Sequence, residues 1–295
     1  MSQPRRVENL HTDKGKVPIY ATGVVAQPWA DYGAGDHAVW RELYERQRRL
    51  LVGRACDAFL AAQDAMGMTP ERIPKFAELN PLLRAATGWE LVGVEGLLPE
   101  LDFFEHLAHR RFPVTWWIRR PDQVDYIEEP DLFHDLFGHV PLLMDPMFAD
   151  YMQAYGRGGV KAHAIGADAL VNLTRLYWYT VEFGLIRQAD GLRIYGSGIV
   201  SSSGESIHSL ESPAPNRIGF DMERIMRTRY RIDSYQKTYF VIDSFEQLME
   251  ATRPDFTPLY ARLATQDSYP AGAVLAGDRV LQRGSGAGWA SDGDV

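Results

Sequence analysis

The chain of 295 residues has a single cysteine, Cys56. No intramolecular disulfide and no thiolate metal cluster can be built from it, which fits a reducing, cytoplasmic location. Long apolar runs are missing too. The most apolar long segment, residues 169–186, is broken by Arg175 and Glu182 and reads as a buried helix, so no membrane partner is expected. The N-terminus MSQPRRVENLHTDKGK has basic residues with no apolar stretch behind them, unlike a signal peptide. An excess of positive charge is also lacking. Lys and Arg number 31 against 39 Asp and Glu, a formal charge of −8 that argues against nucleic-acid binding. Arg46, Arg48 and Arg49, like Arg224, Arg227, Arg229 and Arg231, read as solvated helix faces. Neither an internal repeat nor a linker interrupts the chain between about residues 37 and 265.

What remains is an ordinary globular composition, 45% apolar and 24% charged, with enough length for a sizeable core. Residues 1–35, polar and rich in Pro and Gly, read as an arm. Asp36 is a candidate cap for one long helix over about 37–66, and a second helix runs to Gly88. A strand or extended loop is expected at 89–98 and a strand at 112–118, with one or two helical turns at 103–110 between them. Further helices are expected at 147–155, 168–185, 221–226 and 244–252, and strands at 192–195, 198–200 and 237–242. The Gly- and Ser-rich end, 268–295, reads as a disordered tail. These elements describe one α+β catalytic domain over 36–267, predominantly helical with small β elements.

The chemistry concentrates in PDLFHDLFGHVP, Pro130 to Pro141. Imidazoles beside carboxylates in an apolar frame are the raw material of a metal site. His134 and His139 are five residues apart, which on a continuous α-helix turns them roughly 140° away from each other. Gly138 and Pro141 offer a way out, by ending the helix so that His139 folds back. The bland alternative is a pair of core histidines bonded to Asp131 and Asp135. Glu182 is the second odd residue, a carboxylate inside LYWYTVEFGLI. Burying it is costly unless it is paired, with Arg175 seven residues earlier, or metal-bound. Two His and one carboxylate form the facial triad of non-haem iron oxygenases, while zinc on the same ligands would serve hydrolysis. Phe103, Trp116, Trp117, Tyr126, Tyr177, Trp178, Tyr179 and Phe183 form an aromatic set that a hydrolase would not need, and most of it reads as core filling. Arg119, between an apolar strand and the histidine stretch, is either a clamp for a substrate carboxylate or simply solvent-exposed.

PDLFHDLFGHVP, followed by LYWYTVEFGL and then IYGSGIVSSSGE, resembles the pterin-dependent aromatic amino acid hydroxylases, most closely the compact bacterial members that act on phenylalanine. The likeness covers about residues 37 to 252, with the motifs in order. It implies Fe(II) held by His134, His139 and Glu182, and a tetrahydropterin stacked on Phe103, walled by Leu98, Glu100 and Tyr177. Asp135 is implied to reach the pterin through water and to act in catalysis with Glu182; the animal enzymes usually have glutamate there. Arg119 is implied to hold the amino acid carboxylate, helped by Ser201 and the backbone near Gly198. Pro130, Trp178 and Phe183 would line the slot for the ring, against His134. Asp131 and Asp135 would orient the imidazoles. Ile127 replaces a threonine of the animal enzymes, so that contact is not carried over. Ile232 stands where tyrosine-using relatives are polar. The implied reaction is hydroxylation of L-phenylalanine to L-tyrosine with O2 and tetrahydropterin, by a monomer without the animal enzymes' regulatory domain and tetramerisation helix. Tryptophan hydroxylation, a metal-dependent phosphohydrolase and a pterin- or metal-binding regulator without turnover are the alternatives.

Overall fold

The computed structural model describes residues 23–289 except Tyr126 and Glu128. Residues 1–22 and 290–295, with the parts of the expected arm and tail that fall on them, lie outside the described residues, as does Tyr126 of the aromatic set. From residue 23 the arm lies on the body. Val25 bridges Gly93, the Gln27 amide spans the Pro74 carbonyl and the Phe76 N–H, and the Trp29 indole donates to the Ile73 carbonyl at 2.9 Å.

Helix α1, Ala34–Leu51, buries Val39, Trp40, Leu43 and Leu51, the stripe that its apolar spacing predicts. Asp36 caps it from the third helical position, accepting the Gly33 N–H at 2.8 Å. The expected single helix to residue 66 is two. The chain turns at Gly53, whose φ of +71° favours glycine, before α2, Asp57–Ala65. Helix α3, Phe76–Ala86, leads to strand β1, Glu90–Val94; helix α4, Glu100–Ala108, crosses over to β2, Arg111–Thr115, paired in parallel with β1. Helix α5, Pro146–Ile165, is twice the expected length and packs on α4. A side chain at Gly159 would overlap the Phe104 ring, so that glycine lets the two helices approach.

Helix α6, Ala167–Tyr177, runs toward the middle of the molecule. Strands β3, Leu185–Gln188, and β4, Gly191–Ile194, follow as an antiparallel pair. The strand expected at 198–200 is instead a helical turn, α7, Ser197–Val200, closed by the Ser201 N–H to Ser197 carbonyl bond at 3.0 Å. Three residues framed by glycine and serine are too few to show a period of two. Helix α8, Ser203–Glu211, follows, capped by Ser202. Then come β5, Asn216–Gly219, α9, Met222–Met226, β6, Thr238–Ile242, α10, Phe245–Thr252, and α11, Thr257–Leu263.

The expectation of a disordered tail does not hold for residues 268–289. Strand β7, Val280–Gln282, pairs antiparallel with β5 and completes a sheet of order β4-β3-β6-β5-β7. Asp278 forms a buried ion pair with Arg224 at 2.9 Å. Glycine and serine in the segment suggested disorder, but its order comes from partners more than 50 residues away in the sequence.

Candidate metal centre and its aromatic enclosure

His134 and His139 stand on one π-helical turn, His134–His139. The Val140 N–H reaches back five residues to the Asp135 carbonyl at 3.3 Å. A π turn stacks residues i and i+5, so the five-residue spacing that separates the histidines on an α-helix brings them together here. The expected fold-back at Gly138 is therefore not what happens. Gly138 is helical, and its role is contact: a Cβ there would lie 2.9 Å from the Ser197 carbonyl oxygen. Phe133 and Phe137, stacked with centroids 4.8 Å apart, carry the other face of the turn into the core. Pro141, with no N–H to offer, ends the π ladder in a 3-10 turn.

Glu182 arrives on a second π turn, Trp178–Glu182, at the end of α6, where the Phe183 N–H bonds the Trp178 carbonyl at 2.8 Å. The Thr180 hydroxyl takes up the Leu176 carbonyl at 2.6 Å, one of the acceptors that a widened turn releases. Glu182 does not pair with Arg175, whose hydrogen bond goes to the Met226 carbonyl. Its Oε1 lies 3.1 Å from His139 Nε2, and its Oε2 lies 3.6 Å from His134 Nε2.

The two Nε2 atoms are 3.1 Å apart, and the ligand atoms of all three residues fall within 4.8 Å. Nitrogens bound to one ion at about 2.1 Å each come to rest about 3 Å apart, so the spacing suits a shared metal. The proton placement suits it as well. Ser201 donates its hydroxyl proton to the Ser197 carbonyl at 2.7 Å, so its oxygen accepts from His134 Nδ1–H at 2.9 Å. The His134 Nε2 lone pair is left facing Glu182. Burial lowers the His134 pKa to about 4, keeping the ring neutral. Burial alone would raise Glu182, but His139 beside it, with the hydrogen bonds of His139 and Ser197, outweighs it and brings the carboxyl to about 2. A neutral imidazole beside a carboxylate is what a divalent ion requires.

Neither aspartate orients an imidazole, contrary to expectation. Asp131, wholly buried, takes Arg119 Nε and Nη2 at 2.9 and 2.8 Å and the backbone N–H of His134 at 3.0 Å. Burial raises its pKa, but the Arg119 guanidinium dominates and holds it below the usual carboxylate range. Arg119 is buried, not solvent-exposed, and its Nη1 has no partner among the described residues. Asp135 accepts the Thr115 N–H at 2.7 Å, at the end of β2, and burial raises its pKa to about 7. The group that orients His134 is Ser201.

Two aromatic pairs lie by the residues of the triad. Tyr177 lies 6.2 Å from the His139 ring and 5.9 Å, edge to face, from Phe103 on α4. Glu100 opens α4, and Leu98 lies two residues before it. Trp178 and Phe183, which precede and follow the second π turn's end at Glu182, have centroids 4.7 Å apart, and a Cβ at Gly198 would lie 3.0 Å from the Phe183 ring and 3.1 Å from the Glu182 carbonyl oxygen. Pro130 adjoins Asp131 in the chain, and Ile127 is half-buried. Ile232 is 58% exposed.

Several residues of the site had no signal in the sequence. Ser197 Oγ lies 2.9 Å from Glu182 Oε2, and the GSG around it is the one hint available. Tyr230 stacks on Trp178 at 4.2 Å, and Gln236 accepts the Trp178 indole N–H at 3.0 Å. Both are more than 50 residues downstream of it.

A family model described as biopterin-dependent aromatic amino acid hydroxylase matches residues 19–262. The phenylalanine-4-hydroxylase of Ralstonia nicotianae is 64% identical over 269 residues, 91% of this chain and 85% of that protein. That of Chromobacterium violaceum is 60% identical over 269 residues, 91% of this chain and 90% of that protein. The crystal structure of the Chromobacterium violaceum protein bound to cobalt superimposes with a TM-score of 0.87 at 59% identity, covering 90% of this chain and 95% of that one. Its form with bound oxidised Fe(III) gives a TM-score of 0.86. The chain belongs to the biopterin-dependent aromatic amino acid hydroxylases.

Proposed function

We propose that the protein is a phenylalanine 4-monooxygenase, converting L-phenylalanine to L-tyrosine with O2 and tetrahydropterin at Fe(II) held by His134, His139 and Glu182. The convergence of these three ligand side chains, with aromatic pairs beside them, carries the reading. The names of the bacterial relatives, covering most of both chains, support the substrate. When bound, Fe(II) and tetrahydropterin would supply the O2 activation and the two electrons that hydroxylation of the ring requires.

The chain's own groups bind, orient and exclude water. Phe103 offers the pterin a ring face, with Tyr177 and the backbone at Leu98 and Glu100 closing the wall. Asp135, anchored by the Thr115 N–H, reaches the pterin through water. The Asp131 carboxylate fixes the Arg119 guanidinium so that Nη1 faces the amino acid carboxylate. Ser201 and Gly198 complete that end. Pro130, Trp178, Phe183 and His134 enclose the substrate ring and keep water from the oxidising chemistry. Glu182 supplies the negative charge that a third imidazole would not. The buried lone Cys56 favours the cytoplasm as the location.

Anaerobically prepared Fe(II) protein given tetrahydropterin, phenylalanine and O2 should release tyrosine. Absence of tyrosine, with phosphate released from nucleotides, would overturn the reading in favour of a hydrolase. Replacing phenylalanine by tryptophan tests the nearest alternative substrate.

A further inference from the structure

Glu205 on α8 is a buried acid that the reaction described above does not use. It is 5% exposed and has no cationic partner among the described residues. Its Oε1 accepts two hydrogen bonds, one from the Tyr239 hydroxyl and one from the Gln236 backbone N–H at 3.2 Å. Gln236 is itself buried, and its side chain is a clamp. Nε2 donates to the Arg231 carbonyl at 2.8 Å, tying the two ends of the loop 231–236 together, and Oε1 accepts the Trp178 indole N–H at 3.0 Å. An unbroken line of hydrogen bonds thus runs from Glu205 to the ring wall.

Helix α8 receives the same loop at two further points. The Tyr235 ring stacks on His208 at 4.7 Å, and any side chain at Gly204 would collide with the Tyr235 hydroxyl. Gly204, Glu205 and His208 therefore form one face on which the loop docks. Just before α8, Ser201 holds His134 Nδ1. One short helix and its leading residues are in contact with both the metal side and the ring side of the site.

We propose that Glu205 is a positioning residue for the substrate ring: from α8 it fixes Gln236, and Gln236 fixes the Trp178 indole. The inference rests on the assignment of Trp178 to the ring slot. Because Glu205 touches neither metal nor substrate, its loss acts on how the ring is held rather than on iron or pterin.

Glu205→Ala should raise KM for phenylalanine about tenfold, the scale of one buried hydrogen-bond link, and lower the tyrosine formed per tetrahydropterin oxidised. Iron content and KM for the pterin should not move. Glu205→Gln keeps an acceptor at Oε1 and should restore both readouts. Gln236→Leu leaves the backbone N–H to Glu205 intact but removes the indole partner, and should reproduce the Glu205→Ala pattern. It decides the matter if Glu205→Ala does not fold. In a Trp178→Phe background, which has no indole N–H, Gln236→Leu should add nothing. If Glu205→Ala and Gln236→Leu lower only the melting temperature, or change nothing, while Trp178→Phe raises KM, Glu205 is structural and the inference falls with the ring slot intact. If Trp178→Phe itself leaves KM unchanged, the ring-slot assignment is wrong and the inference goes with it.

Discussion

The two sides of the site are built by different means. On the metal side, His134, His139 and Glu182 sit on two π turns whose main-chain bonds and capping hydroxyls are satisfied locally. On the ring side, Trp178 is held by the face of Tyr230 and by one amide of Gln236, both delivered by the segment 230–236. That segment also carries two of the large exposed apolar side chains, Ile232 and Tyr235. Ligand geometry needs precision, and helical elements give it; a substrate pocket has to adapt, and loops open at lower cost. Loss of a metal ligand should therefore abolish turnover outright, whereas substitutions on the ring side should act by degrees.

The sharpest test is Glu182→Ala. Turnover should fall by more than about a thousandfold with iron lost, since two imidazoles without the carboxylate do not retain a divalent ion. Circular dichroism should stay near that of the wild type. Turnover near normal would reduce Glu182 to a core polar group. Arg119→Ala comes next and blurs the division, because Arg119 serves substrate and fold together. KM for phenylalanine should rise about a hundredfold with loss of the charged clamp. Stability should drop by about 3–5 kcal/mol, because Asp131 is left charged and unpaired in the core. A rise in KM without destabilisation would mean that Asp131 finds another partner. Ser201→Ala probes the metal side more gently. His134 loses the acceptor of its Nδ1–H, and affinity for Fe(II), read by titration, should weaken about 10- to 100-fold. Unchanged affinity would show that the turn alone orients the ring.

How far the sequence revealed each side follows the same division. His134, His139 and Glu182 were legible because their residue types are incompatible with the apolar stretches that carry them. The means of bringing them together was not. Nothing in PDLFHDLFGHVP distinguishes a π turn from a helix end, since the choice depends on Phe133 and Phe137 packing inward and on Ser197 lying against Gly138. Asp131 was read as a partner of histidine because it is near in sequence, whereas Arg119, twelve residues earlier, claims it in space. Helices α4 and α10 and strands β1 and β6 followed from local pattern. Strand β7 and the Tyr230–Gln236 support did not, because each exists only through contacts made across more than 50 residues.

The smallest change in turnover is expected from Glu205→Gln, which bears on stability instead. Burial raises the Glu205 pKa from 4.5 to about 7, although the Tyr239 and Gln236 hydrogen bonds pull the other way. Between these two values the folded protein holds a proton that the unfolded chain has released, so the folded state gains from low pH. The contribution is complete below about pH 4.5, shrinks as pH rises through the window and is gone above about 7, at roughly 1.4 kcal/mol per unit of pKa difference. The amide introduced by Glu205→Gln has no proton to lose over this range. The melting temperature of the wild type should therefore fall against that of Glu205→Gln as pH rises from 5 to 7, and the gap should level off beyond. A gap that is constant across the range would mean that Glu205 is already ionised in the folded state, so that α8 anchors the ring-side loop with a carboxylate rather than a neutral acid.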